Sequence, residues 1–298
     1  MKTYVIQNPV SGQAEADVVR EKLSQVMNEH QIPFEIYETT GKEDIREVVK
    51  AAIENGFERF IAMGGDGTVS GVASGLVNTE IPLVIIPSGT VNALARELQI
   101  PIGGDDAVSW WVSSPRKKVI DVIEVGGRYY LLNVSVGTSA GIMKAAKRED
   151  INRFGVFAFI WQALKKNTRV PTYKFQVDMD GRSVHIRASE VFVANSGILL
   201  GLKALELDPD ASLDNGKLSV CHIRLKTIFD YVRVAFKMFT KPSEENEELD
   251  CMDAMRKVKI QASRPIPVQG DGELIGNTPV TITLIPHAIH VWLPKKQN

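Results

Sequence analysis

Over the first 120 residues, short apolar runs alternate with helical patterns. Tyr4-Val5-Ile6 reads as a strand, ended by the turn-forming Asn8-Pro9-Val10-Ser11-Gly12. Val18, Val19, Leu23, Val26 and Met27 then fall on one helical stripe, and 34–37 reads as a second strand. Ile45, Val48, Val49 and Ala52 are spaced i, i+3, i+4, i+7, which predicts a helix. A third strand, 60–63, runs straight into Gly64-Gly65-Asp66-Gly67-Thr68 and a small-residue helix over 69–77. A fourth strand over 82–87 precedes a helix starting at Ala93. Repeated β-α units imply a parallel sheet with helices on both faces.

From residue 119 the pattern changes to strands: 119–125, 129–135, 173–179, 185–194, 218–223, 258–261, 280–284 and 289–293. Gly126-Gly127, Asp180-Gly181 and Asn215-Gly216 mark turns between several of them. The expectation is an α/β domain over 1–123, rejoined by a C-terminal strand within 287–298, and a mostly antiparallel β domain over 124–286. Helical insertions are expected near 139–168 and 226–240, and the acidic run 243–250 reads as a solvated loop or a helix start.

Composition narrows the function classes. The chain has 298 residues, 44% hydrophobic and 24% charged, with net charge −1, so no global field points to nucleic acid. Cys221 and Cys251 read as buried free thiols, which suits a reducing cytoplasm. No run reaches the ~18 apolar residues of a membrane span, so membrane contact is expected to be peripheral. Two segments suit such contact. In 142–170, seven basic residues (Lys144, Lys147, Arg148, Arg153, Lys165, Lys166, Arg169) outnumber Glu149 and Asp150 beside Phe154, Phe157, Phe159 and Trp161. The second is 231–239; for both, a core helix with solvated ends is the competing reading. His185, His287 and His290 sit in strand patterns and form no ligand cluster.

The strongest chemical signal is Gly64-Gly65-Asp66-Gly67-Thr68 between a strand and a helix. Glycines let backbone N–H groups approach phosphate oxygens, and the helix N-terminus adds partial positive charge. Asp66 would then lie beside the phosphates, where a carboxylate can hold Mg²⁺. A plain Gly-rich turn is the alternative, and the strand–loop–helix context weighs against it. A Walker A string is absent, and the dinucleotide fingerprint starting at Gly65 fails at Ser70. Two further loops, 8–12 and Pro87-Ser88-Gly89-Thr90-Val91-Asn92, also follow strands, and such loops converge at the carboxyl edge of an open parallel sheet.

Together the three loops resemble the diacylglycerol kinase catalytic domain family, which includes bacterial lipid kinases and sphingosine kinases. Asp121 in Val119-Ile120-Asp121-Val122 and the Asp271-Gly272-Glu273 turn extend the resemblance along the chain. It implies an ATP- and Mg²⁺-dependent kinase for a lipid hydroxyl, diacylglycerol or a relative, acting at the inner face of a membrane. It implies nucleotide contacts from Asn8, Pro9, Ser11, Gly12, Thr39 or Thr40, Gly64, Gly65, Asp66, Gly67, Thr68, Val69, Ser70, Gly89, Thr90 and Asn92. It implies metal binding by Asp66 and Asp121, and a general base in Glu273 with Asp271 beside it. An ordinary hairpin is the alternative for that turn.

Two departures stand out. Ala93 occupies a position that is often Asp in the family, and Asn215 replaces an Asp in a turn that often binds a structural cation, here through Ser212, Asn215 and Lys217. Two rival functions remain at this point: an NAD-kinase-like enzyme, whose Asn-Glu motif is missing because Val134 follows Asn133, and a non-catalytic lipid-binding homologue. Unpaired edge strands would permit a homodimer.

Overall fold

The structure is a computed structural model describing residues 1–11, 16–103, 106–112, 115–145, 170–197, 208, 210–227, 230, 233 and 249–295. Most of both expected membrane-facing segments, and Gly12, lie outside the described residues. Among the described residues no helix is long and apolar enough to cross a membrane.

The chain divides into two compact units, Met1–Val122 with Pro286–Asn298, and Ile123 to Ile285. The first contains β1 (Thr3–Gln7), α1 (Ala16–Glu29), β2 (Phe34–Glu38), α2 (Ile45–Glu54), β3 (Arg59–Gly64), α3 (Asp66–Leu76), β4 (Leu83–Pro87), α4 (Ala93–Glu97) and α5 (Asp106–Ser109). Its parallel sheet runs β2-β1-β3-β4, and Val291 of the last strand, β16 (Val280–Leu293), pairs with Leu83 of β4. One sheet face buries Val5, Ile61, Met63, Val84 and Ile86 against Leu23 and Met27 of α1 and Trp111.

On the other face, α3 lies against α2 because it carries glycines where the helices meet. A Cβ on Gly71 would come within 2.8 Å of Ile45 Cβ, and one on Gly75 within 2.5 Å of Val49 Cβ. The small-residue run 69–77 is thus a close-packing surface. At the amino end of β3 the Arg59 guanidinium is buried, donates to Thr3 Oγ1 at 2.9 and 2.7 Å, and stacks over Trp111 and Trp292.

The second unit is antiparallel. It contains β6 (Arg128–Tyr130), β7 (Asn133–Gly137), α6 (Thr138–Ala145), β8 (Tyr173–Met179), β9 (Arg182–Ala188), β10 (Glu190–Ala194), β11 (Leu218–Ile223), β12 (Leu249–Ala254), β13 (Lys257–Ala262), β14 (Pro267–Gly270) and β15 (Glu273–Asn277), while β5 (Arg116–Val125) and β16 pass through both units. A six-stranded sheet β12-β11-β10-β7-β14-β15 faces the sheet formed by the start of β16 with β13, β8 and β9. Val134, Val136, Val191, Val193, Val220 and Val268 of the first share a core with Phe175, Val177, Val258, Ile260 and Ile282 of the second. The expected fold class, a parallel α/β unit followed by an antiparallel β unit, is therefore observed.

Several boundaries differ from the sequence reading. The run 185–194 splits at Ser189, whose N–H and hydroxyl both donate to Ile223 O, so β9 and β10 join different sheets. The acidic run 243–250 ends in a strand, because β12 starts at Leu249 and pairs along β11. The cysteines are not free: Cys221 and Cys251 lie directly opposite each other on β11 and β12 and form a disulfide. That register, across 30 residues of sequence, has no local signature, and it removes the thiol argument for a reducing compartment.

Gly75→Ala tests the α2–α3 contact. The added methyl meets the enclosed Val49 side chain, and overpacking should outweigh the helix-propensity gain, lowering unfolding free energy by about 1–2 kcal/mol in urea titration.

Candidate active site

In the first unit, the registers Gln7↔Glu38, Gln7↔Met63 and Gly64↔Pro87 bring the carboxyl ends of four strands level. The loops that follow them meet there. After β1, Asn8 Oδ1 accepts the Val10 N–H at 3.1 Å and Asn8 O accepts the Ser11 N–H at 3.2 Å, folding Asn8 to Ser11 into a turn around Pro9. After β2, the buried Thr39 donates its N–H to Gln7 O at 2.8 Å. Next to it, the Thr40 hydroxyl donates to Glu43 and holds that carboxyl down at about 2.

The closest approach joins the loops after β3 and β4. A Cβ on Gly89 would stand 2.5 Å from Gly65 Cα, which excludes a side chain at 89, while one on Gly65 would press on Gly89 Cα at 3.3 Å. Ser88 donates its N–H to Gly64 O at 3.0 Å, and its hydroxyl lies 3.4 Å from Ser11 Oγ. Asn92 braces Gly89 from both sides, its Oδ1 accepting the Gly89 N–H at 2.9 Å and its Nδ2 donating to Gly89 O at 2.7 Å. To do so Asn92 adopts a left-handed backbone, φ 52°, at the N-cap of α4. Asp66 Oδ1 then accepts the Ala93 N–H at 2.6 Å, tying the first residue of α3 to the first residue of α4.

The structure sorts the expected nucleotide residues. Asn8, Ser11, Gly65, Asp66, Gly89 and Asn92 converge by direct contact. Gly67 and Thr90 are exposed beside them, and Ser70 is half-buried. Thr68 and Val69 turn inward; Thr68 fills the space a side chain on Gly64 would need, 2.5 Å from such a Cβ. These two build the loop from beneath. The sequence reading passed over Ser88, although it stood inside the quoted loop, and it passed over the Ala93 N–H, which no side-chain pattern reveals.

In the second unit, Asp271 and Glu273 lie on the turn between β14 and β15. The Asp271 carboxylate accepts three backbone N–H groups, from Leu131 at 2.6 Å, Leu132 at 3.0 Å and Asn133 at 3.0 Å. This is why the apolar run 129–135 breaks into β6 and β7: the N–H groups between them turn to a carboxylate instead of a neighbouring strand. Glu273 opens the exposed edge strand β15. Beneath it, Gly270 leaves room for the Tyr130 ring, which a Cβ would approach to 2.5 Å. Burial pushes the Tyr130 hydroxyl up from its ordinary range, the neighbouring Arg128 opposes the shift, and Glu273 adds to it.

Comparison with known proteins places this geometry. Residues 2–125 match the diacylglycerol kinase catalytic domain model, and residues 132–293 match the YegS C-terminal NAD kinase beta sandwich-like domain. The chain belongs to the bacterial diacylglycerol/lipid kinase family. An uncharacterized protein of Synechocystis sp. is 30% identical over 99% of this chain and 71% of its own length. The Bacillus subtilis diacylglycerol kinase is 26% identical, covering 99% of this chain and 97% of that protein. A solved Bacillus anthracis chain shares the fold with a TM-score of 0.81 at 22% identity, over 99% of this chain and 98% of that one.

The remaining metal candidates of this lipid-kinase-family chain are already engaged. Asp121 is fully enclosed and accepts the His287 N–H at 2.8 Å, which stabilises a left-handed residue, φ 51°, within β16. Ser212, Asn215 and Lys217 close a turn among themselves and their neighbours. Ser212 donates to Asp214, Asn215 donates to Asp210 O and accepts the Lys217 N–H, and the Lys217 ammonium pairs with Asp253 at 2.8 Å. The turn thus carries its own cation. Among the described residues no group of three or more His, Cys, Asp or Glu side chains could hold a metal.

Asp271→Ala should strand three N–H groups and lower unfolding free energy by about 2–4 kcal/mol in chemical denaturation. Asp271→Asn, which keeps one oxygen acceptor, should lose less.

Proposed function

We propose that this chain transfers the γ-phosphate of ATP to a hydroxyl of a lipid, diacylglycerol or a close relative, with Mg²⁺ as the nucleotide's counter-ion. The observation that carries the reading is the side-chain-free meeting of Gly65 with Gly89 at the N-terminus of α3. It puts the positive end of α3 beside the exposed Gly67 and Thr90, an arrangement that favours a phosphate chain. The family match and the name of the Bacillus subtilis relative support a lipid acceptor.

The residues fit a magnesium nucleotide. Asp66 spends Oδ1 on the Ala93 N–H, and among the described residues no partner takes its Oδ2. Mg²⁺ bound with nucleotide uses one or two carboxylates plus phosphate oxygens and water, so a single available carboxylate suffices. When bound, such an ion neutralises charge on the phosphates. Asp66 would hold it, the 64–70 and 88–92 loops would position the phosphates, and the Ser11 and Ser88 hydroxyls would donate to phosphate oxygens. Glu273 would take the acceptor hydroxyl's proton as its oxygen bonds to the γ-phosphorus and the bond to ADP breaks. Asp271, committed to three N–H groups, holds the turn in this scheme and moves no proton.

The test is γ-labelled ATP with Mg²⁺ and lipids in mixed micelles, with NAD as a control acceptor. Label should appear in a lipid; label only in NAD, or in nothing, would overturn the proposal. Glu273→Gln should lower kcat by about 10²–10⁴-fold with KM for ATP little changed. Asp66→Ala should abolish turnover in a protein whose circular dichroism matches wild type, and retained turnover would remove Asp66 from the mechanism.

A further inference from the structure

Glu190, the first residue of β10, is fully enclosed, and the proposed chemistry does not use it. Its Oε2 accepts the Ser139 N–H at 2.8 Å in the first turn of α6, and its Oε1 accepts the Ser139 hydroxyl. Having given its hydrogen to Glu190, Ser139 Oγ can only accept from Ser135 Oγ, 3.1 Å away. Ser135 Oγ in turn accepts from Gln269 Nε2 at 2.8 Å. Gln269 Oε1 accepts the Gly272 N–H at 2.8 Å. Ser135 is fully buried and Gln269 is 8% exposed, so the middle of the chain is shielded from water, while Ser139 is half-buried and Gly272 is exposed.

Two features set this chain apart from an ordinary helix cap. Every donor points the same way, from the Gly272 N–H toward the Glu190 carboxyl, and such aligned chains polarise and stiffen one another. The chain also ends on the residue that precedes Glu273, crossing three adjacent strands, β10, β7 and β14. Asp271 holds the same turn from the other side through Leu131, Leu132 and Asn133. Burial pushes the Glu190 carboxyl above the usual carboxylate range, and hydrogen bonding from Ser139, Ser135 and the Thr138 backbone opposes that shift.

We propose that Glu190, Ser139, Ser135 and Gln269 form a positioning chain that fixes the Asp271–Gly272 turn, and with it Glu273, in the orientation proton transfer requires. This inference rests on the lipid kinase reading. It assigns these four residues a role in turnover beyond folding, and none of them touches substrate in that role.

The test compares the full-length wild type with Gln269→Leu, Ser135→Ala and Glu190→Gln. It reads kcat, KM for ATP, thermal midpoint, and amide hydrogen exchange in peptides spanning 267–277 and, as a control, 257–262. Gln269→Leu and Ser135→Ala should lower kcat by about ten- to a hundredfold, since small misplacements of a reacting group cost that much. KM for ATP and exchange in 257–262 should stay as in wild type, while exchange at the turn quickens. Glu190→Gln, which keeps only one of the two oxygen acceptors, should also lower kcat and quicken exchange at the turn, and wild-type values of both in that variant would overturn the inference. Wild-type kcat in folded Gln269→Leu or Ser135→Ala overturns the inference, as does unchanged exchange at the turn. So does a kcat loss accompanied by faster exchange in 257–262, which would mark a general loss of fold. If Gln269→Leu fails to fold, Gln269→Glu, which keeps the Gly272 acceptor, and Ser135→Ala decide the matter. Absence of phosphate transfer by the wild type would sink the kinase reading itself, and the exchange data would still show whether the chain holds the turn.

Discussion

The approach of Gly65 to Gly89 is the constraint on which the first unit's site depends. The two loops can come this close because Gly89 carries no side chain, and a side chain on Gly65 would tighten the contact further. Once they do, the loop after β4 must reverse sharply, and Asn92 accepts the left-handed backbone that the reversal demands while bonding Gly89 on both its N–H and its carbonyl. That geometry delivers the Ala93 N–H to Asp66. Each bond contributes only about 1 kcal/mol by itself, but they close on one another, so the loops move together or not at all. Binding of a phosphate chain to such a preformed surface costs little ordering of the protein.

The second unit solves a different problem with buried polar groups. A sandwich of apolar strands can position an exposed edge turn only loosely, because hydrophobic contacts have little direction. Around the 271–273 turn the core therefore contains groups that hydrophobic packing alone would exclude: Asp271 bonded to three N–H groups, Gln269, Ser135 and Glu190. Leaving such groups unsatisfied would cost about 1–3 kcal/mol each, and the structure satisfies them with one another. Gly270 belongs to the same device, since its missing side chain lets the Tyr130 ring lie under the turn.

Much of this was readable beforehand because it depends on local pattern. Periodicity located β1, β3, β4, α2 and α3, and the glycine strings located the loops, since only glycine fits where backbones meet. What stayed hidden depends on register between distant segments. The pairing of Cys221 with Cys251 and the start of β12 at Leu249 are set by neighbouring strands. The break after Tyr130 is set by a carboxylate about 140 residues away, 140 being the separation of Leu131 from Asp271. The sequence reading placed Glu190 inside the strand run 185–194 and Ser139 at the start of a helical insertion, because the sequence does not say that Gln269 lies across from them.

Ala93 shows how position and side chain can separate. Set against the family pattern, an alanine there reads as a smaller carboxylate network or a different acceptor. The structure shows that residue 93 meets Asp66 through its backbone N–H, which every residue except proline supplies. The link between the two glycine loops therefore does not depend on the side chain at 93. A carboxylate at 93 would add negative charge at the start of α4, close to Asp66, so its absence alters the charge around a bound nucleotide and leaves the scaffold that holds it. If the chain is the kinase proposed above, Ala93 would bear on how strongly a cation is held, and the positioning of the phosphates would not depend on it.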